Sequence, residues 1–387
     1  MAHKKTIPIC IPNITGNEQR NLTECIDTKF VSSVGKFVTD FEKQLEFHSG
    51  FKNACAVNSG TSALSLALHN VGASHNDLVI IPDYTFIATA NAVAHCGATP
   101  WILDISSKNL NLDLEKLRSA IDNNCEIKGQ NWFHKETGQR IAAIVPVFAL
   151  GNSCDAKELN NIYEDYSIPV IVDAAGALGV MPNNQKLGNL NVTCITISFN
   201  GNKTFTSGGG GAILTNDSSF FNSCKHTSTT ARTGYEYTHD EIGFNHRMTN
   251  LQAAVGCAQL ERYHEFVDKK LYIHNFYQNN IFLSGVGSMH ESIDSSRWIS
   301  YILFNKDTNI NFENLYSYAQ NKGIELRPFW VPMHMQEPFK NCVKEDLDVS
   351  KSLFQKVCTL PSSTGITDEE ISYTVSSINT FLEDHVH

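Results

Sequence analysis

No stretch of this 387-residue chain approaches the roughly 18 continuous apolar residues that a membrane-spanning helix needs. The opening residues, MAHKKTIPICIP, hold two lysines with no apolar segment behind them, so no leader is expected and the chain reads as cytoplasmic. Positive charge is scarce as well: 30 Lys and Arg stand against 40 Asp and Glu, for a net charge of -10. That balance argues against a broad electrostatic footprint on nucleic acid or anionic lipid, while leaving room for a local anion site. The eleven cysteines are scattered, odd in number and without a CxxC pair, which excludes a disulfide framework and a zinc knuckle. Most of them are expected to be small buried hydrophobes in a reducing compartment. Fifteen histidines include no HExxH, and no metal is expected. A tract of four glycines at 208–211 has neither the GxxxxGK[ST] order of a phosphate loop, because Lys203 precedes it, nor the GxGxxG of a dinucleotide turn. Nucleoside triphosphate binding is therefore disfavoured.

What is present is the composition of a compact fold, 42% hydrophobic and 18% charged, with no low-complexity tract and no internal repeat. At this length a large domain and a smaller one each have room for a core. From about residue 54, helical periodicity alternates with short apolar runs bounded by turn residues, which is an α/β signature. TSALSLALHNVG (61–72) and FIATANAVAHCG (86–97) read as helices, and LVIIP (78–82) and PWILDI (100–105) as strands. Further strands are expected in IAAIVPVFAL, PVIVDAA, VTCITISF and GAILTN. Runs such as IAAIVPV are continuously apolar, which predicts strands covered on both faces in a mostly parallel sheet. The polar segment between Asp122 and Arg140 is placed as an excursion between a helix and the next strand. Apolar positions from Leu251 to Leu271 predict one long helix or two abutting ones, after which WISYILF, IELRPFW and a terminal helix suggest a small α+β unit. The expected division is residues 1–248, a large α/β domain with an N-terminal arm, and 249–387, a connecting helix and a small C-terminal α+β domain.

Four features would converge if the sheet is open, because ligands sit beyond the carboxyl ends of its strands. Gly60 and Thr61 open a helix whose free N–H groups and dipole suit a phosphate, although Ser59 as an ordinary N-cap explains the same letters. Asp173 ends the apolar run PVIVD; it either caps the next turn or faces a protonated heterocyclic nitrogen. Lys203 follows the strand TCITISF; an isolated lysine there is usually solvated, but in a partly closed site its amine can lose its proton and condense with a carbonyl. Asn245 and Arg247 immediately precede the long helix, where Asn245 could cap a turn or give its amide to a phosphate. Each plain explanation is adequate singly. Their joint occurrence in this order is the evidence.

NSGTSAL, PDYTFIATANAV, IVDAAGALG, SFNGNKTFTSGGGGAILTND and GFNHRMTNLQAAVG together resemble the pyridoxal-phosphate-dependent nucleotide-sugar aminotransferases of the DegT/StrS type, over nearly the full chain. PNITGNE, FVSSVGKFV, TTARTGYEYTHDEIGFN and RPFWVPMHMQEPF are similar to the subgroup that aminates UDP-linked 4-keto-6-deoxy sugars on routes to bacillosamine and legionaminic acid. The resemblance implies the type I transferase fold and pyridoxal 5'-phosphate as cofactor, with Lys203 holding its aldehyde and Asp173 its pyridine nitrogen. It further implies that Gly60, Thr61 and Ser198 hold the phosphate and that Phe86 stacks on the ring. Asn245 would reach the phosphate of a neighbouring subunit, so a homodimer with shared sites is implied. Arg247, Trp330 and His334 fall where the family contacts its nucleotide sugar. Gly176 departs from the pattern, since family members usually carry Gln, His or Glu there.

The implied reaction moves the amino group of L-glutamate to the C4 ketone of the sugar, with Lys203 and Asp173 as catalytic groups and no nucleic acid or membrane partner. A same-fold enzyme of other chemistry, such as a dehydratase, a desulfurase or a C3 sugar aminotransferase, and a non-catalytic nucleotide-sugar-binding regulator are the rivals. Retention of Lys203 argues against the related dehydratases, which replace it with histidine.

Overall fold

The computed structural model describes residues 6–289, 294–305, 308, 310 and 312–385. Its main sheet runs in the order Asn53–Val57, Gly211–Thr215, Cys194–Ser198 and Ile171–Asp173. Bridges from Ile144 to Val170 and from Val147 to Asp173 continue it into Arg140–Ile144, then Asp77–Pro82, Thr99–Leu103 and the edge strand Val343–Lys344. Neighbours pair in parallel except along Gly211–Thr215, which is antiparallel to both its neighbours. The expected mostly parallel sheet is therefore present. Its apolar runs face two cores in alternation: Leu78 and Ile80 point into one, Val79 and Ile81 into the other. The first core is covered by helices Lys36–Ser49, Leu114–Asn124, Ala156–Tyr166 and Asn250–Glu261, the second by Gly60–Asn70, Ile87–His95 and Ser218–Ser228.

The polar segment before Arg140 is an antiparallel hairpin, Cys125–Lys128 with Asn131–His134, turning at Gly129, whose φ is 65°. Arg140 then ties the hairpin's end to the sheet through Asp77, 2.6 Å away, and the carbonyl of Gly72. The stretch from 249 forms two abutting helices, Asn250–Glu261 and Tyr263–Asn280, the first opened by a Thr249 and Gln252 capping box. Beyond them a second, antiparallel sheet joins Gly287–Met289, Tyr301–Phe304, Val357–Thr359 and Arg327–Pro328 under helices Phe312–Asn321 and Asp368–His385. This is the small α+β unit, and Ile7 packs into its core through a bridge to Ile324. Nine of the eleven cysteines are buried and all are free thiols. No helix among the described residues is long and apolar enough to cross a membrane.

Candidate active site

Seven of the ten expected site residues line one cavity of about 260 Å³ at the carboxyl ends of the parallel strands: Gly60, Thr61, Phe86, Asp173, Ser198, Lys203 and Trp330. Asp173 ends its strand and is 5% exposed. Its carboxylate accepts from the Thr89 hydroxyl at 2.7 Å and from the Ala175 N–H at 3.1 Å. The turn cap read from the sequence is therefore present, made by one carboxylate oxygen, and the residue also lines the cavity. Burial pushes this carboxyl above the usual carboxylate range, opposed by Thr89, Ala175 and the charge of Lys203.

Lys203 sits in a turn after the strand, its N–H bonded to the Asn200 carbonyl at 3.0 Å. Part of its surface opens to the cavity, yet dense surrounding protein brings its amine down to about 8, against the opposing charges of Asp173 and Cys10. Its Nζ lies 3.4 Å from the ring centroid of Trp298. The sequence reading missed Trp298, Asn200 and Asn202 as cavity residues, and Thr89 as the hydroxyl that holds Asp173.

At the helix start, the Ser59 hydroxyl accepts from the Ser62 N–H at 3.0 Å, an ordinary N-cap, while Ser59, Gly60 and Thr61 all front the cavity. A Cβ on Gly60 would lie 2.8 Å from the Cβ of Ser198, so the helix start and the strand end abut with no room for a side chain between them. Gly211, the last of the glycine tract, is required in the same way: a Cβ there would meet the Ser59 carbonyl oxygen at 2.4 Å. Its last glycine thus lets the antiparallel strand lie flush against the helix start, while Gly208 and Gly210 take positive φ values of 76° and 127° in the turn before it.

Asn245, Arg247 and His334 lie outside this cavity. Asn245 and Arg247 are exposed beside the Asn53–Val57 strand, and Arg247 Nη2 donates to Asn245 Oδ1 at 3.2 Å. His334 Nδ1 lies 2.7 Å from Oδ2 of the fully buried Asp83, whose other oxygen accepts from the His334 N–H at 2.9 Å. A separate exposed group, His226 with Asp240 and Glu241, brings its polar atoms within 4.8 Å of one another on the surface.

These residues fit pyridoxal phosphate: a glycine-lined helix start with Ser198 for the phosphate, a buried carboxylate for the ring nitrogen, an amine partly relieved of its proton, and Phe86 at the mouth. Residues 12–379 match the DegT/DnrJ/EryC1/StrS aminotransferase family. The chain is 33% identical over 387 residues to the GDP-perosamine synthase of Caulobacter vibrioides, covering 99% of this chain and 100% of that one. It is 27% identical over 380 residues to the UDP-4-amino-4,6-dideoxy-N-acetyl-beta-L-altrosamine transaminase of Campylobacter jejuni, covering 96% of each. Among solved structures, PseC of Helicobacter pylori, an aminotransferase involved in the biosynthesis of pseudoaminic acid, superposes with a TM-score of 0.87 over 98% of this chain and 100% of that one. At 22% identity this likeness shows the fold alone. The chain belongs to the DegT/DnrJ/EryC1/StrS aminotransferase family, and it is an aminotransferase dependent on pyridoxal phosphate.

Proposed function

We propose that the protein transfers the amino group of L-glutamate to the C4 ketone of a nucleotide-linked 4-keto-6-deoxy hexose, in the synthesis of a surface-glycan sugar. The observation that carries this is the pairing of a deprotonable amine, Lys203, with a buried carboxylate, Asp173, on one cavity. When bound, pyridoxal phosphate supplies the aldehyde that takes up the amino group and the ring that accepts the electrons released with the α-proton. Lys203 Nζ would take that proton and pass it to the carbon that carried the aldehyde, a transfer helped by an ionisation of the amine brought down to about 8. Asp173 keeps the ring nitrogen protonated, and the Thr89 hydroxyl holds the carboxylate in register. Gly60, Thr61 and Ser198 hold the phosphate, Phe86 covers the ring, and Trp330 and His334 contact the sugar nucleotide.

Asn245 belongs to the same proposal as a residue serving the phosphate of the neighbouring subunit of a homodimer, which accounts for its exposure outside the cavity of its own chain, and Arg247 beside it as a contact to the sugar nucleotide. The division at residues 248 and 249 and a cytoplasmic, reducing location are parts of it too. A 4-amino-4,6-dideoxy sugar stands in the name of the Campylobacter jejuni relative. The sequence resemblance names UDP, whereas the Caulobacter vibrioides relative is a GDP-perosamine synthase. Purified protein is therefore incubated with L-glutamate and, separately, a UDP-linked and a GDP-linked 4-keto-6-deoxy hexose, with mass spectrometry of the products. The expected result is an aminated sugar with one nucleotide at least and stoichiometric 2-oxoglutarate. No aminated product from either, with cofactor bound, would overturn the proposal.

A further inference from the structure

The space beside Gly176 is filled by the side chain of Trp298, from the far side of the two long helices in sequence. A Cβ on Gly176 would lie 2.3 Å from Cε3 and 2.7 Å from Cδ2 of Trp298. Gly176 does not adopt a positive φ, so it is the indole and not the backbone that excludes a side chain. Trp298 is 5% exposed and is fixed on several sides. Its Nε1 donates to the Asn202 carbonyl at 2.7 Å, one residue before Lys203. Its own carbonyl accepts from Nζ of Lys270 at 2.7 Å, a lysine only 1% exposed that also donates to the Ser362 carbonyl. The ring face meets the Lys203 amine at 3.4 Å.

We infer that Trp298 is a positioning residue for Lys203, its indole filling the side-chain space that Gly176 vacates and giving the free amine a fixed resting place against the ring. This rests on the reading of Lys203 as the proton carrier. The negative face of the ring attracts an ammonium without a directional hydrogen bond that must break before the amine moves again. A fixed Nζ keeps the proton carrier within reach of the reacting carbon, and misplacing such a group by an ångström costs on the order of a hundredfold in rate. Lys270 acts one step behind, holding the main chain that carries the indole.

Two measurements on the full-length chain test the inference. In cofactor-free protein labelled with ¹³Cε-lysine, the Lys203 signal, identified by its loss in Lys203→Arg, is expected upfield of the solvated lysines through the ring current of Trp298. It is expected to join them in Trp298→Leu and to stay upfield in Trp298→Phe, which keeps an aromatic face. A Lys203 signal among the solvated lysines in the wild type, or one unmoved in Trp298→Leu, overturns the inference. In the loaded enzyme, Gly176→Ala and Trp298→Leu are each expected to lower kcat at least about tenfold while changing KM for the amino donor less than about twofold. The Gly176→Ala/Trp298→Leu double variant is expected to be no slower than Trp298→Leu alone, and losses that multiply in the double variant overturn the pairing. The resonance arm needs no turnover, so its failure leaves amino transfer standing, whereas a wild type without nitrogen transfer would defeat that reading and leave the ring contact untouched.

Discussion

Two ionisable groups shifted by the protein around them give the site opposite pH signatures. Lys203 titrates lower in the folded protein than its ordinary 10.5, at about 8, so between those values the unfolded chain binds more protons than the folded one. The resulting penalty on the fold is complete below pH 8 and is relieved as pH rises to 10.5. Lys203→Met is therefore expected to be inactive and yet to melt higher than wild type in the cofactor-free state at pH 7, the gain fading toward pH 10.5 in thermal denaturation. Asp173 is shifted upward, so its folded form holds a proton to higher pH and the cost of ionising it sets in above the ordinary carboxylate range. Thr89 opposes that shift by donating to the charged form. Thr89→Val leaves the carboxylate one donor short, about 2 kcal/mol for a bond to a charged group, or roughly thirtyfold in kcat. The acid limb of the pH profile for kcat is expected to move upward with it.

Buried aspartates at strand ends also fasten the segment that carries Trp330 and His334 to the main sheet. Asp83, following the Asp77–Pro82 strand, accepts from the His334 N–H and from the Ser350 hydroxyl at 2.5 Å. Asp104, following Thr99–Leu103, accepts from the N–H groups of Val349 and Ser350 at 3.0 and 2.9 Å and pairs with Lys116 at 2.5 Å. Asp104→Ala strands those first-turn amides and is expected to cost about 2–4 kcal/mol in urea denaturation. It is also expected to raise KM for the ketosugar more than for glutamate. None of this was legible in the sequence, because 251 residues separate His334 from Asp83. What was legible is what local pattern can encode: apolar runs long enough to be strands, the helix starts at Gly60 and Thr249, and the order of Asp173 and Lys203 along the chain. IAAIVPVFAL was read as one strand, yet the strand stops at Ile144, and Pro146, which has no N–H to donate, lies in the break before a turn at Ala149–Gly151. The hairpin at 125–134 escaped because three of the four residues of its first strand are exposed, so no alternation marks it. WISYILF was placed only in the small α+β unit; pairing there begins at Tyr301, leaving Trp298 in the lead-in with its ring at the cavity.

At the scale of the whole molecule, the segment leading to Asn245 carries Tyr235, Tyr237 and Ile242 at 87%, 73% and 82% exposure, apolar groups that a partner chain would cover. If Asn245 completes the site of the other subunit, Lys203→Ala and Asn245→Asp impair different halves of each site. Mixed and allowed to exchange subunits, the two variants are expected to regain about a quarter of wild-type activity, since half the dimers are hybrids and each hybrid has one intact site. No recovery after demonstrated exchange would place Asn245 outside a shared site. Following the nitrogen atom tests the central claim most directly. With ¹⁵N-labelled L-glutamate and a nucleotide-linked 4-ketosugar, the wild type is expected to yield an aminosugar heavier by one mass unit than the product from unlabelled glutamate, and Lys203→Ala to yield none. Ketosugar consumed without uptake of ¹⁵N, or label transferred equally well by Lys203→Ala, would contradict it.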